Sequence, residues 1–302
     1  MTRRDFVRTS VAASLAVESA ARASAAKPAM RIIDPHVHVW TQDPRYPWAQ
    51  KNAKAPRPEA LPATLLELMK ANGVSHTVLI QVIYYLWDNR YARDVVRQYK
   101  GKFQAVCRVN PESPGAPDDL TRLVEDDGFH GVRISPARNA AGDWISGPLM
   151  PPLWRRTREL KIPMTVLTST SRLPEVAKLI EREPDLNVVI DHMADCPIDQ
   201  PAEQKKLLGL ARYPRVFVKI SHTWTISRQP YPYRDTYDLV HKLYDAFGPR
   251  RLMWGTDWPL VEGYCGYAKA LAIVRDEMKF LNEDDKRWML GKTIERVWPF
   301  PA

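Results

Sequence analysis

From residue 30 onward the chain repeats a single two-part pattern. Short runs rich in valine and isoleucine occupy residues 30–34, 76–84, 102–110, 129–135, 162–169, 186–193, 215–221 and 251–257. Between them lie segments such as PATLLELMKAN, RLPEVAKLIERE and YRDTYDLVHKLYDAFG, with apolar residues three and four apart and charge in the gaps. The first kind reads as strands buried on both faces, the second as amphipathic helices. Eight strand-then-helix units predict an α/β fold with a parallel sheet closed into a (β/α)8 TIM barrel, formed as one domain by residues 26–302. An open doubly wound sheet is the rival, but no G-x-G-x-x-G follows the first strand. The last helical stretch, residues 283–290, is expected to cover the outside of the barrel.

Residues 1–25 do not share the pattern. Arg3 and Arg4 precede Phe6, a weakly apolar stretch follows, and Ala23-Ser24-Ala25 closes it. This resembles a twin-arginine export signal, although Glu18 interrupts the apolar part, and it implies a periplasmic enzyme. The formal net charge is +9, of which the leader carries two units. The rest is spread without a Lys/Arg block, which argues against a nucleic-acid partner and for a mildly basic surface suited to anionic small molecules. No apolar run is long enough to span a membrane. The cysteines Cys107, Cys196 and Cys265 are too scattered for a disulfide framework or a C-x-x-C zinc site. A homo-oligomer is left open.

In a barrel of this kind the chemistry sits where the strands end. Those ends carry His36 and His38, Gln81, Asn110, Arg133, Ser135, Thr168, Ser169, Asp191, His192, Lys219, Ser221, His222 and Asp257. His36 and His38, two apart, share one face of a strand, as a metal site or an acid/base pair requires. Together D-P-H-V-H-V-W at 34–40, V-I-D-H-M-A at 189–194 and M-W-G-T-D-W-P at 253–259 resemble the amidohydrolase superfamily. Within it they are most similar to the amidohydrolase-related branch of pyrone-dicarboxylate and sugar lactonases.

The resemblance, which runs from about Arg31 to Pro299, implies a lactone-opening hydrolase with His36, His38, His192 and Asp257 as catalytic groups. In metal-using members the first-strand pair and the eighth-strand aspartate bind the ion, usually with a fifth-strand histidine. Here the fifth strand reads M-T-V-L-T-S-T-S and has none. Two cofactor expectations follow: none, the preferred reading, or one divalent ion, zinc or manganese, on His36, His38 and Asp257. Asp257, walled by Trp254 and Trp258, is expected to have a raised pKa and to act as the base. Arg133 is expected to grip a substrate carboxylate as a planar fork, with Gln81, Lys219 and His222 completing the binding set.

Each assignment has a plainer counterpart. Asp257 could bond backbone N–H groups before Pro259, Arg133 could pair internally with Asp191, and Lys219 and His222 could lie at the surface. Asp191 precedes His192 in the strand pattern and so is expected to face away from the site. His76, His130 and His241 read as strand-entry or helix-surface residues. A lactone isomerase or metal-dependent decarboxylase on the same barrel, or a non-catalytic binding barrel, remain the alternative functions.

The leader gives a direct test. Fused to a reporter, residues 1–30 should carry it out of the cytoplasm, and replacing Arg3-Arg4 by Lys-Lys should stop export in a fractionation assay. An unaffected reporter would remove the twin-arginine assignment.

Overall fold

The computed structural model describes residues 30–49, 58–135 and 145–300; the proposed export leader lies outside them. Eight parallel strands form: β1 (Ile32–Val37), β2 (Val74–Ile80), β3 (Phe103–Val106), β4 (Val132–Ile134), β5 (Met164–Val166), β6 (Val188–Ile190), β7 (Val216–Ile220) and β8 (Leu252–Trp254). Helices α1 (Pro62–Asn72), α2 (Arg90–Gln98), α3 (Ala116–Glu125), α4 (Met150–Glu159), α5 (Leu173–Arg182) and α6 (Pro201–Leu208) follow the first six strands. After β7 come a single turn, α7 (Thr223–Ile226), and α8 (Tyr237–Phe247), and after β8 comes α9 (Tyr267–Ala272). The strands are mostly apolar and almost wholly buried because helices cover their outer faces, with polar residues such as His36, Arg133 and Lys219 turned into the barrel. Proline in the first turn of α1, α3, α4, α5 and α6 supplies a backbone angle already suited to a helix start.

Regular ladders join β1 to β3 and β4 to β8. Two seams close the ring. Between β3 and β4, the Cys107 amide donates to Gly131 at 2.9 Å and the Arg133 amide to Cys107 at 2.8 Å. Between β8 and β1, the His38 amide donates to Trp258 at 2.7 Å, the Asp257 amide to His36 at 2.9 Å, and the Trp254 indole to Ile33 at 2.7 Å. A Cβ on Gly255 would sit 3.2 Å from that of His36, so the second seam closes tightly only with glycine there. The expected (β/α)8 barrel is therefore the observed one.

The C-terminal segment does more than cover the outside. Its helical run from α10 (Glu283–Arg287) through α11 (Thr293–Val297) delivers Trp298, fully buried, beneath the strands. The Trp298 indole nitrogen packs at the entry of β4, where a Cβ on Gly131 would stand 3.2 Å from it. Its ring lies 5.3 Å from the Lys219 ammonium, and Gln104 of β3 donates to the Pro299 carbonyl. Beyond residues 283–290, the stretch expected to form an outer cover, the tail thus adds a plug of the base through Trp298. Among the described residues no helix is long and apolar enough to cross a membrane.

Gly291 shows how closely this plug is fitted, because a Cβ there would fall on the Arg31 carbonyl oxygen at the start of β1. Backbone cannot swing aside as a flexible side chain can. Gly291→Ala should therefore lower stability by about 1–3 kcal/mol in urea unfolding. An unchanged midpoint would show that the plug is loosely seated.

Candidate active site

The side chains that gather at the C-terminal mouth are put there by two kinds of backbone. His36 lies within β1 and His38 just beyond it, and the strand period turns both inward. His192, His222 and Asp257 lie just past strand ends with left-handed backbone, φ 51°, 59° and 54°. Non-glycine residues pay for that conformation, about 1–3 kcal/mol each where surroundings enforce it, and such positions cluster at functional sites. At the β8 exit the enforcing contact is Asp34, fully buried, whose carboxylate accepts from the amides of His36 and Thr256 and from the Thr256 hydroxyl. Burial outweighs these bonds and pushes its pKa up to about 6.

Asp257 is the hub. Its Oδ2 is bonded by His222 Nε2, and its Oδ1 faces His38 Nε2 at 3.1 Å and His36 Nε2 at 3.5 Å. The His222 ring stacks on His192, with centroids 3.6 Å apart and planes at 7°. His192 Nδ1 is bonded to the Ser221 hydroxyl at 2.8 Å. His38 Nδ1 sits 2.7 Å from the Ile80 carbonyl, so it must be the protonated nitrogen. Nε2, the other ring nitrogen, is thereby the one that faces Asp257.

Beneath this group lies a second, drier one. The Lys219 ammonium, with no solvent exposure, is 3.0 Å from Asp191 Oδ1 and 3.1 Å from His36 Nδ1. The Arg133 Nε donates to Asp191 Oδ2 at 2.9 Å, and Asp191 Oδ1 lies 3.4 Å from His36 Nδ1. Burial alone would raise the Asp191 pKa, but Lys219 and Arg133 hold it well below the carboxylate range. Burial lowers that of Lys219, with Asp191 opposing. Burial, aided by the Lys219 charge, pushes His36 down to about 3, and burial with the charges of His222 and His36 takes His192 well below its usual value. Both imidazoles are neutral. His222 is opposite: burial is overcome by Asp195 and Asp257, which push it up to about 9.

Three sequence expectations change. The Asp257 pKa is not raised: burial pulls it upward, but the hydrogen bond and charge of His222 hold it well below the usual value. Asp191 faces the site because it keeps the alternation of Val189, which is in register with the inward residues Arg133 and Phe217 through the β4–β7 ladder, whereas His192 reaches the same side through its left-handed backbone. Arg133 is not a free fork, since its Nε is bonded to the buried Asp191, the internal pair weighed as its plainer reading. Lys219 and His222, expected in the binding set, both lie inside the cluster, so the surface position that was their plainer alternative does not hold. Gln81 is buried beside it, with its amide nitrogen donating to the Asp88 carbonyl at 2.6 Å. His76, beside Phe300, and His241, on Phe280, lie elsewhere.

The sequence reading passed over Arg108, buried at the exit of β3. Its signal was present: Gln104, Val106 and Arg108 alternate on one face of that strand.

Comparison with known proteins fits this arrangement. A protein-family profile described as amidohydrolase matches residues 33–300. An L-fucono-1,5-lactonase of Burkholderia ambifaria is 31% identical over 76% of this chain and 80% of its own. A 4-sulfomuconolactone hydrolase of Hydrogenophaga intermedia is 26% identical over 75% of this chain and 74% of its own. Among solved structures, a Pseudomonas putida protein assigned as a 2-pyrone-4,6-dicarboxylic acid hydrolase superimposes with a TM-score of 0.76. It covers 90% of this chain and 99% of its own at 24% identity, a likeness of fold.

The dry cluster predicts its own energetics. Lys219→Met leaves a buried carboxylate short of one counter-charge and should cost about 3–5 kcal/mol in chemical denaturation. Adding Asp191→Asn to it should recover part of that loss. If Lys219→Met proves neutral, Arg133 alone suffices to balance Asp191.

Proposed function

Since the chain belongs to the amidohydrolase family, we propose that it opens a lactone by adding water to the ring carbonyl, breaking the acyl–oxygen bond and releasing a hydroxy acid. The relatives named for lactones support this reading. The observation that carries it is the pair of atoms left without a hydrogen-bond donor or acceptor at the mouth. His36 Nε2 and Asp257 Oδ1 are buried and 3.5 Å apart, and neither completes a hydrogen bond among the described residues, although His38 Nε2 stands 3.1 Å from Oδ1. A buried polar atom without a partner costs about 1–3 kcal/mol, so two side by side mark a place held for something other than protein.

The same observation tests whether a divalent ion fits. His36, His192 and Asp257 each offer a buried ligand atom, all within 4.8 Å of one another. His38 adds a lone pair fixed by the Ile80 carbonyl, the backbone contact that commonly orients a metal-binding imidazole. Histidine nitrogen with carboxylate oxygen suits zinc or manganese, and three protein ligands suffice for a catalytic site, so the missing fifth-strand histidine is no obstacle. A cation bound there supplies Lewis acidity, which polarises a carbonyl and makes water a stronger acid.

The chain's own part can be stated separately. Asp257 Oδ1 accepts the proton of the attacking water, while His222 holds Oδ2 and so fixes the plane of the carboxylate. Lys219 holds His36 from behind through Nδ1, which sets the direction of the opposite ring edge. His192, neutral and braced by Ser221, is placed to touch the substrate carbonyl region without adding charge. Asp257, with its pKa held low, is a weak base by itself, which gives added acidity of the water a definite purpose.

A panel of five- and six-membered lactones tests this. Asp257→Asn should keep the fold and lower kcat by about 10²–10⁴-fold, since an amide cannot take the proton. Chelation should suppress activity and zinc or manganese restore it. Activity that survives exhaustive chelation would remove the metal, and full activity in Asp257→Asn would remove the mechanism.

A further inference from the structure

Arg108 is the cation that the buried cluster leaves unbalanced. It is 1% exposed, and its Nε and Nη2 have no hydrogen-bond partner among the described residues. Its backbone is clamped from both sides: Asn89 Oδ1 accepts from the Arg108 amide, and Asn89 Nδ2 donates to the Arg108 carbonyl, each at 2.9 Å. The guanidinium lies over the Trp87 ring at 5.4 Å. So the side chain is held in place while its donors are left open.

Its direction follows from the strand. Gln104, Val106 and Arg108 share one face, and Gln104 points into the barrel base, where it donates to Pro299. Arg108 is thus the same face two steps higher, at the mouth. The neighbouring strand presents Arg133 and Ser135 on its own inward face, and the Ser135 hydroxyl is also buried without a partner. Arg133 spends its Nε on Asp191 and adds like charge to Arg108. Across the ring, past the exit of β8, stands a carboxylate acceptor, Oδ1 of Asp257. One side of the mouth therefore offers donors and the other acceptors.

The two open nitrogens of Arg108 are the informative detail. Nε and Nη2 form one edge of the guanidinium, with N–H bonds running parallel, the edge that meets both oxygens of a carboxylate. Resting on the lactone-opening reading, we propose that Arg108 determines substrate specificity, binding a carboxylate carried on the lactone, with Ser135 beside it. The carbonyl to be attacked then lies toward Asp257. Arg108 takes the role expected of Arg133 from its place at a strand end.

The test uses two lactones that differ only by a ring carboxylate, with wild type, Arg108→Met and Arg108→Lys, and thermal melts with malonate as the probe. Wild type should prefer the carboxylated lactone. Arg108→Met should reduce that preference in kcat/KM by about 100-fold or more, chiefly through KM, because the site loses the group built to pair with the anion. Arg108→Lys should recover only part, since an ammonium lacks the parallel edge. Malonate should raise the melting temperature of wild type and not of Arg108→Met. Without ligand, Arg108→Met should melt no lower than wild type, because it removes an uncompensated buried charge.

An unchanged preference, a wild type indifferent to malonate, or an Arg108→Met that melts lower or fails to fold while Arg108→Lys keeps full preference would each overturn the proposal. If wild type opens neither lactone, the hydrolase reading fails by itself, and the malonate melts alone decide whether Arg108 binds an anion.

Discussion

A carboxylate with no access to water, held between an ammonium and a guanidinium, governs this barrel. Asp191 binds Lys219 and Arg133 at 3.0 and 2.9 Å, and all three are buried. Such a triad is weak support for stability, since taking ions out of water costs about what their attraction returns. Its value is positional. Lys219 fixes one nitrogen of His36 and thereby aims the other at Asp257, so the charge balance below the site sets the geometry within it. Trp298 keeps water from reaching Lys219 from below, which is how the barrel plug bears on the chemistry at the opposite end.

The upper group solves a different problem. Two neutral imidazoles and a carboxylate crowd one small space, and the charge of Asp257 is met by the imidazolium of His222 rather than by lysine. His222 and Asp257 can meet only because both sit past a strand end in left-handed backbone, as does His192 stacked on His222. A regular strand would have sent successive side chains to opposite faces. The turn bound by Asp34 and Gly255 holds that conformation where β8 meets β1.

Much of this was legible in the chain. The valine-rich runs and amphipathic spacers predict eight strands and the closed ring, because burial on both faces writes itself into composition. The H-x-H pair was readable because it lies on and just past a strand, where period two holds. The same rule misplaces Asp191 when the period is set from His192, whose left-handed backbone departs from it; Asp191 keeps the period of Val189 and faces inward. The Asp257 pKa was misjudged because desolvation can be inferred from neighbouring tryptophans, whereas the partner that reverses it, His222, comes from another strand. Arg133 and Lys219 illustrate the same limit: a side chain that could serve a ligand or an internal ion declares its choice only when the opposing strand is in place.

Arg108 shows where that limit can be passed. An arginine inside the run A-V-C-R-V contradicts an otherwise apolar strand, and such a local conflict calls for a compensating partner. The structure provides one for Arg133 and, among the described residues, none for Arg108, although the two lie on adjacent strand ends. Among the cations near the mouth, Arg133 and Lys219 are met by Asp191, and His222 by Asp257 and Asp195, while Arg108 meets no carboxylate among the described residues. A divalent ion at Asp257 leaves that unchanged. An anionic substituent on the substrate supplies the missing partner, and because Arg108 and Ser135 stand at the ends of β3 and β4 while the Asp257 carboxylate stands past β8, the anion can settle on one side only. The charge that selects the ligand would then also fix which bond of it is presented to Asp257.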